Sequence, residues 1–229
     1  MTGDILKKAR FESGLTQQQA AVRLGVSQPY LALLEGGKRS LTVELARKAV
    51  RKLNARPTII PCAQRFRARC VPTDSLVKQL RALGYPGYSY MRAGWTRNPA
   101  EVLLAALQQD ELDPRVAEAL PWVLLNYPDL DRDWLLKEAR ASNSTNRLGF
   151  LVSLAMLVAE QRGNKNSAVY QSLARFEDVL KQSRLESEYA FGNPVFSAAQ
   201  QEWVRQNRPG NAEEWHVLTT LRPEHLQYA

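Results

Sequence analysis

The side chains with chemistry to offer are concentrated between Leu15 and Arg39. The stretch reads LTQQQAAVRLGVSQPYLALLEGGKR. Thr16 can cap a short helix, and Gln19, three residues on, can reach back to complete a capping box. Ala20 and Ala21 are small enough for another helix to cross closely. Gly25 tolerates positive φ, and Val26 gives the turn an apolar anchor. Ser27 then caps a second helix, Gln28 and Pro29 open its first turn, and Gly36-Gly37 end it. Proline fits there because first-turn N–H groups lack intrahelical partners. Two short helices on a tight turn make a helix-turn-helix, the second helix shaped for the DNA major groove.

No catalytic pattern competes with this one. The chain lacks a His-Glu-x-x-His motif, a Walker loop and a glycine-rich dinucleotide fingerprint. His216 and His225 have no cysteine or carboxylate at metal-ligand spacing, and no Ser/Lys arrangement like that of self-cleaving repressors is present. The expectation is no enzyme, no cofactor and no metal. Cys62 and Cys70 are too few for a disulfide framework and read as reduced thiols.

Charge is divided unevenly over the 229 residues. The formal net charge is +8, but residues 1–83 carry 16 Lys/Arg against 5 Asp/Glu, and residues 84–229 carry 15 against 18. A basic half joined to a mildly acidic one implies that the first half meets a polyanion. The N-terminus lacks the apolar core of a signal peptide. The apolar run Leu148 to Ala159 is broken by Gly149 and Ser153 and is too short to span a bilayer, so a cytoplasmic protein is expected.

The elements that must position these residues are helices. Ile5, Leu6, Ala9 and Leu15 form an apolar stripe, with Lys7, Lys8 and Arg10 around it. Val43, Leu45, Ala46, Ala49, Val50 and Leu53 repeat at helical spacing over Thr42–Leu53. Pro57 and Pro61 then break the pattern, and Arg65-Phe66-Arg67-Ala68-Arg69 alternates as a strand or extended linker would. Arg65, Arg67 and Arg69 are possible phosphate contacts. Asp74–Leu83 is predicted helical, and the aromatic turn Tyr85–Tyr90 is read as packing. From Asn98 onward the chain reads as helix after helix: one from Asn98, one from Asp113 interrupted at Pro121, and one from Asp131. Asn143–Arg162 is the expected central buried helix, followed by Ser167–Arg184, Ser197–Asn207 and Asn211–Leu221, the last with an Asn211/Glu214 capping box. The predicted fold is all-α, with a possible small strand element near 57–72. The expected domains are a DNA-binding domain at 1–56, a connector at 57–97 with one helix and the possible strand, and a helical domain at 98–229.

Residues 4–53 resemble the Cro/CI-type (lambda-repressor-like, XRE) helix-turn-helix family, through Leu15-Thr16-Gln17, Ala20, Leu24-Gly25-Val26-Ser27, Leu31, Leu34-Glu35 and Gly37-Lys38-Arg39. The resemblance implies a dimer that binds a pseudo-palindromic double-stranded operator. It places Gln17 at a phosphate and Gln28 at base edges, where glutamine pairs with adenine N6 and N7. Pro29, Tyr30, Ala32 and Leu33 lie on or beside the reading face, Leu31 and Leu34 point inward, and Lys38 and Arg39 clasp the backbone. Pro29 and Leu33 stand where polar readers are common, so readout there must be apolar, as against thymine methyls. The fifth helix that often completes the family fold gives way to the Pro57–Pro61 segment.

For the second half, the architecture resembles DNA-binding antitoxins that repress their own operon. The segment from Leu112 through Trp122, Trp134 and Asn146-Arg147-Leu148-Gly149 is similar to antitoxins encoded beside nucleotidyltransferase-type toxins. A cognate toxin is the partner this implies. The alternatives are an effector-responsive repressor with a small-molecule site, or a purely dimerising domain. Trp122, Trp134, Trp203 and Trp215 anchor either a core or an interface.

Overall fold

The computed structural model describes residues 2–64, 66, 71–192 and 197–228. It is all-α apart from one pair of two-residue strands, with twelve α-helices among the described residues. Contacts divide the chain into two units. One holds the described residues up to Gln64 together with Thr96–Pro99, and the other holds the remainder.

In the N-terminal unit, α1 (Thr2–Glu12), α2 (Gln17–Leu24), α3 (Gln28–Glu35) and α4 (Val43–Leu53) enclose a small core. Leu6, Ala20, Leu31, Leu34, Ala46 and Ala49 have no exposed surface. The alanines on α2 and α4 let these helices approach closely. A 3-10 turn at Pro57–Ile59 packs against α1 and α4. Ile59 and Ile60 are buried in the same core. Asn98 donates to the carbonyls of Thr58 and Ile60 and fixes their backbone. Residues 57–64 thus group with the DNA-binding unit by contact, beyond the expected limit of 56.

The second unit is built from α5 (Thr73–Ala82), α6 (Pro99–Leu107), α7 (Pro114–Asn126), α8 (Arg132–Ala141), α9 (Thr145–Gln161), α10 (Ala168–Lys181), α11 (Ala198–Asn207) and α12 (Gly210–Glu214). Asp113, Asp131, Ser167 and Ser197 cap α7, α8, α10 and α11, each accepting from a first-turn backbone N–H. α9 is the central helix: thirteen of its seventeen residues are buried, against α7, α8, α10 and α12. Its polar start is buried too. Asn146 donates to the carbonyls of Leu185 and Ser187 and accepts from the Leu185 N–H. Arg147 donates to the carbonyls of Leu107 and Ala190, and its guanidinium lies over the Tyr189 ring. These bonds secure the chain that leads into β1 (Tyr189–Ala190), which pairs in parallel with β2 (Val217–Leu218).

Two expectations fail here for tertiary reasons. α7 is not interrupted at Pro121 but runs through it. The proline removes one hydrogen bond, whereas seven other residues from Val116 to Leu124 bury their side chains along the same helix. The helix expected over Asn211–Leu221 is instead the short α12, with Pro209 at its N-cap and no side-chain cap bond, so the Asn211/Glu214 box does not form. His216 turns the chain at φ +51°, and Val217–Leu218 leaves to pair with Tyr189–Ala190. In place of the possible strand near 57–72, Pro57–Ile59 forms a 3-10 turn, while residues 65 and 67–70 lie outside the described residues.

The tryptophans separate into two groups. Trp215 is fully buried, Trp122 nearly so, and Trp134 packs edge-on to Phe66. Trp203 and Trp95 are 59% and 74% exposed. Cys70 lies outside the described residues. No described helix is long and apolar enough to cross a membrane.

Candidate nucleic-acid interface

The local geometry of residues 16–39 follows from its capping chemistry. Thr16 accepts from the Gln19 N–H while the Gln19 side chain accepts from the Thr16 N–H, closing the capping box at the head of α2. Gly25 ends α2 at φ +72°, a conformation costly for any residue with a Cβ. Two residues later Ser27 accepts from the Tyr30 N–H and starts α3, with Pro29 in its first turn. Leu31 and Leu34 face the core, as expected.

The remaining faces of α3 leave Gln28, Pro29 and Leu33 exposed and Ala32 half-buried. Tyr30 is half-buried and packs against the core. Lys38 and Arg39 follow the end of α3 and are exposed. Gln17, at the first turn of α2, is half-buried. Arg65, Arg67 and Arg69 fall outside the described residues.

Arg10, expected outside the apolar stripe of α1, is buried, and so is Glu35. Arg10 Nε and Nη2 donate to the two Glu35 carboxylate oxygens at 2.6 and 3.0 Å, and Nη1 donates to the Leu15 carbonyl. Gln17 Nε2 donates to Glu35 Oε2 at 2.9 Å, and Gln28 Nε2 donates to Gln17 Oε1 at 2.8 Å. A continuous chain of hydrogen bonds therefore runs from the core to the side chain at the head of α3. Burial alone raises the Glu35 carboxyl, but the bonds from Arg10 and Gln17 and the charges of Arg10 and Lys7 outweigh it and hold it below the ordinary carboxylate range. Glu35 is thus a carboxylate at neutral pH. The signal was present in the sequence: Arg10 follows Leu6 by four residues and Glu35 follows Leu31 by four, so both fall on buried helical stripes and carry opposite charge.

Chemically, this surface can do what base reading requires. An exposed amide at a helix N-terminus can both accept and donate, and the exposed Lys38 and Arg39 follow the other end of the same helix. Among the described residues no group of three His, Cys, Asp or Glu is placed to share a metal ion. Fold and surface together define a helix-turn-helix DNA-binding domain. Residues 6–60 match the family model described as helix-turn-helix, which supports the Cro/CI-type resemblance of that segment. The chain carries the DNA-binding domain of a transcription regulator. Neither the curated proteins nor the solved structures include a match.

Proposed function

We propose that this protein is a cytoplasmic, dimeric repressor that binds a specific double-stranded operator by setting α3 in the major groove. In this reading Gln28 contacts an adenine edge, Pro29, Ala32 and Leu33 make apolar contacts beside it, and Gln17, Lys38 and Arg39 hold phosphates. The observation that carries it is the exposed Gln28 amide at the head of α3, tethered by Gln17. The test is selection of operators from random duplexes by the full-length protein, followed by footprinting with Gln28→Ala. Loss of one good base contact weakens the selected site by about 1–3 kcal/mol relative to random DNA. A variant that retains the full preference overturns the assignment.

The regulated operon, in our reading, encodes a toxin that the second unit neutralises. Support comes from the exposed Trp203 on α11, a helix that buries only Val204, and from the mildly acidic character of residues 84–229. An aromatic side chain left in water is the kind of anchor that interfaces use. Asn146, Arg147, Leu148 and Gly149 are all buried, so their part in such docking is to build the scaffold. Co-expression with the product of the adjacent gene tests this reading: rescue of growth and co-purification support it, and absence of both overturns it.

A specific observation favours a second reading, an effector-responsive repressor. A cavity of about 500 Å³ in the second unit is lined by Tyr85, Tyr88, Arg115, Glu118, His225 and Tyr228. Its size suits a small molecule. Operator release by a metabolite, without any protein partner, would favour this reading over the toxin.

A further inference from the structure

We propose that Glu35 is a specificity-determining positioning residue, fixing from inside the core which end of the Gln28 amide faces the DNA. The proposal deepens the base-reading assignment of Gln28 and rests on it. It starts from the one-way character of the hydrogen bonds. A carboxylate can only accept, and a guanidinium can only donate. Both oxygens of Glu35 are engaged by Arg10, so the Gln17 amide meets Glu35 with its Nε2. Gln17 must then turn its Oε1 toward Gln28, and Gln28 must answer with its own Nε2. Each link leaves the next amide one orientation. The outcome at the surface is a Gln28 whose Oε1 is directed away from the relay, with one N–H left beside it.

That pattern selects among purines. Adenine offers a donor at N6 and an acceptor at N7, which match one acceptor and one donor. Guanine offers acceptors at both O6 and N7, and an unrestrained glutamine could turn its NH2 group to donate to both. The relay removes this escape, because one Nε2 hydrogen is already committed to Gln17. A charged group with no DNA contact of its own thus sets the penalty against guanine. An ordinary glutamine has two amide orientations of similar energy, and here the buried ion pair makes them unequal.

The experiment compares binding of the full-length protein to its selected operator and to the same operator with guanine in place of the contacted adenine. For the natural protein the expected ratio is roughly 10- to 100-fold. Glu35→Gln can donate as well as accept, so it frees the orientation of Gln17 and is expected to lower the ratio by about tenfold. Arg10→Met combined with Glu35→Met removes the relay without leaving a buried charge, and covers the case in which the single variant does not fold. Partial unfolding weakens both operators equally and leaves the ratio where it was. A ratio unchanged in a folded variant overturns the proposal. Gln28→Ala separates the two levels: if it also leaves the ratio unchanged, base reading by Gln28 has failed, and if it abolishes the ratio while the relay variants keep it, only the role of Glu35 falls. The natural protein provides a readout that needs no variant. Its Gln17 and Gln28 side-chain amide protons are expected to exchange more slowly with water than those of the exposed Gln18. Equal exchange overturns the relay.

Discussion

Gly149 of α9 lies directly against the indole of Trp215. A Cβ added at Gly149 would stand 2.5 Å from Trp215 Cδ2, and nearer still to Cε3 and Cζ3. The indole is wholly buried and cannot swing into solvent to make room. Gly149→Ala therefore forces apart the central helix and the segment that leads into β2. Overpacking of this kind costs about 1–3 kcal/mol, occasionally more, and the upper end is expected here. Thermal unfolding followed by tryptophan fluorescence checks it, with a lower midpoint for the transition that reports Trp215.

The Arg10–Glu35 pair makes the N-terminal unit sensitive to acid. In the folded protein the Glu35 carboxyl ionises below its ordinary 4.5, so the unfolded chain takes up the proton first as pH falls. Its contribution is complete above that ordinary value and is lost progressively as pH drops through the lower folded value. Arg10→Met removes only one partner of a buried pair and should destabilise this unit by about 3–5 kcal/mol at neutral pH, while flattening the acid limb of the stability profile. Urea unfolding across the acid range, read by helical circular dichroism, shows whether the limb flattens. A variant with the same acid limb as the natural protein would remove Glu35 as its cause.

How far the sequence could be read depended on the range of the interaction. Thr16 with Gln19, Ser27 with Tyr30 and Gly25 between them act within four residues, so the turn and both its helices were legible. Leu31 and Leu34 followed from helical periodicity alone. Arg10 and Glu35 stand 25 residues apart, and charged types on an apolar stripe read as its solvated border until the partner is in place. Pro121 shows the reverse error. A local rule against proline in a helix, worth about 3 kcal/mol, yields to burial along most of α7. At Val217–Leu218 a helical pattern yields to a strand partner about thirty residues earlier, which no local window contains.

The tyrosine-lined cavity predicts an alkaline signature. Burial, with the charge of Glu118 and the neighbouring Tyr228, pushes the Tyr85 hydroxyl up to about 12. Tyr88 is raised as well, first by burial and then by Asp113 and other neighbours. Between the ordinary 10.0 and about 12 the folded protein keeps a proton that the unfolded chain has released, so stability falls as pH rises through this window. Spectrophotometric titration should resolve phenols that ionise late. Glu118→Gln removes a nearby negative charge and should bring Tyr85 down toward its ordinary value, and an unchanged titration would exclude Glu118 as a cause.

Lys38 and Arg39 provide the counterpart to Gln28, because phosphate contact and base contact respond differently to the same substitutions. Both are exposed immediately after α3, where they can reach the DNA backbone without touching a base edge. Each phosphate neutralised releases condensed counterions, so affinity falls steeply as salt is added. Lys38→Ala and Arg39→Ala should each reduce the slope of log affinity against log salt by about 1, and should weaken selected and random duplexes to the same degree. Gln28→Ala should do the opposite, lowering preference for the selected operator while leaving the salt slope nearly unchanged. Fluorescence anisotropy over a salt series, with both duplexes and all three variants, separates the two behaviours. If Lys38→Ala or Arg39→Ala alters sequence preference without changing the slope, that side chain reads bases, and the division between positioning and reading must be redrawn there.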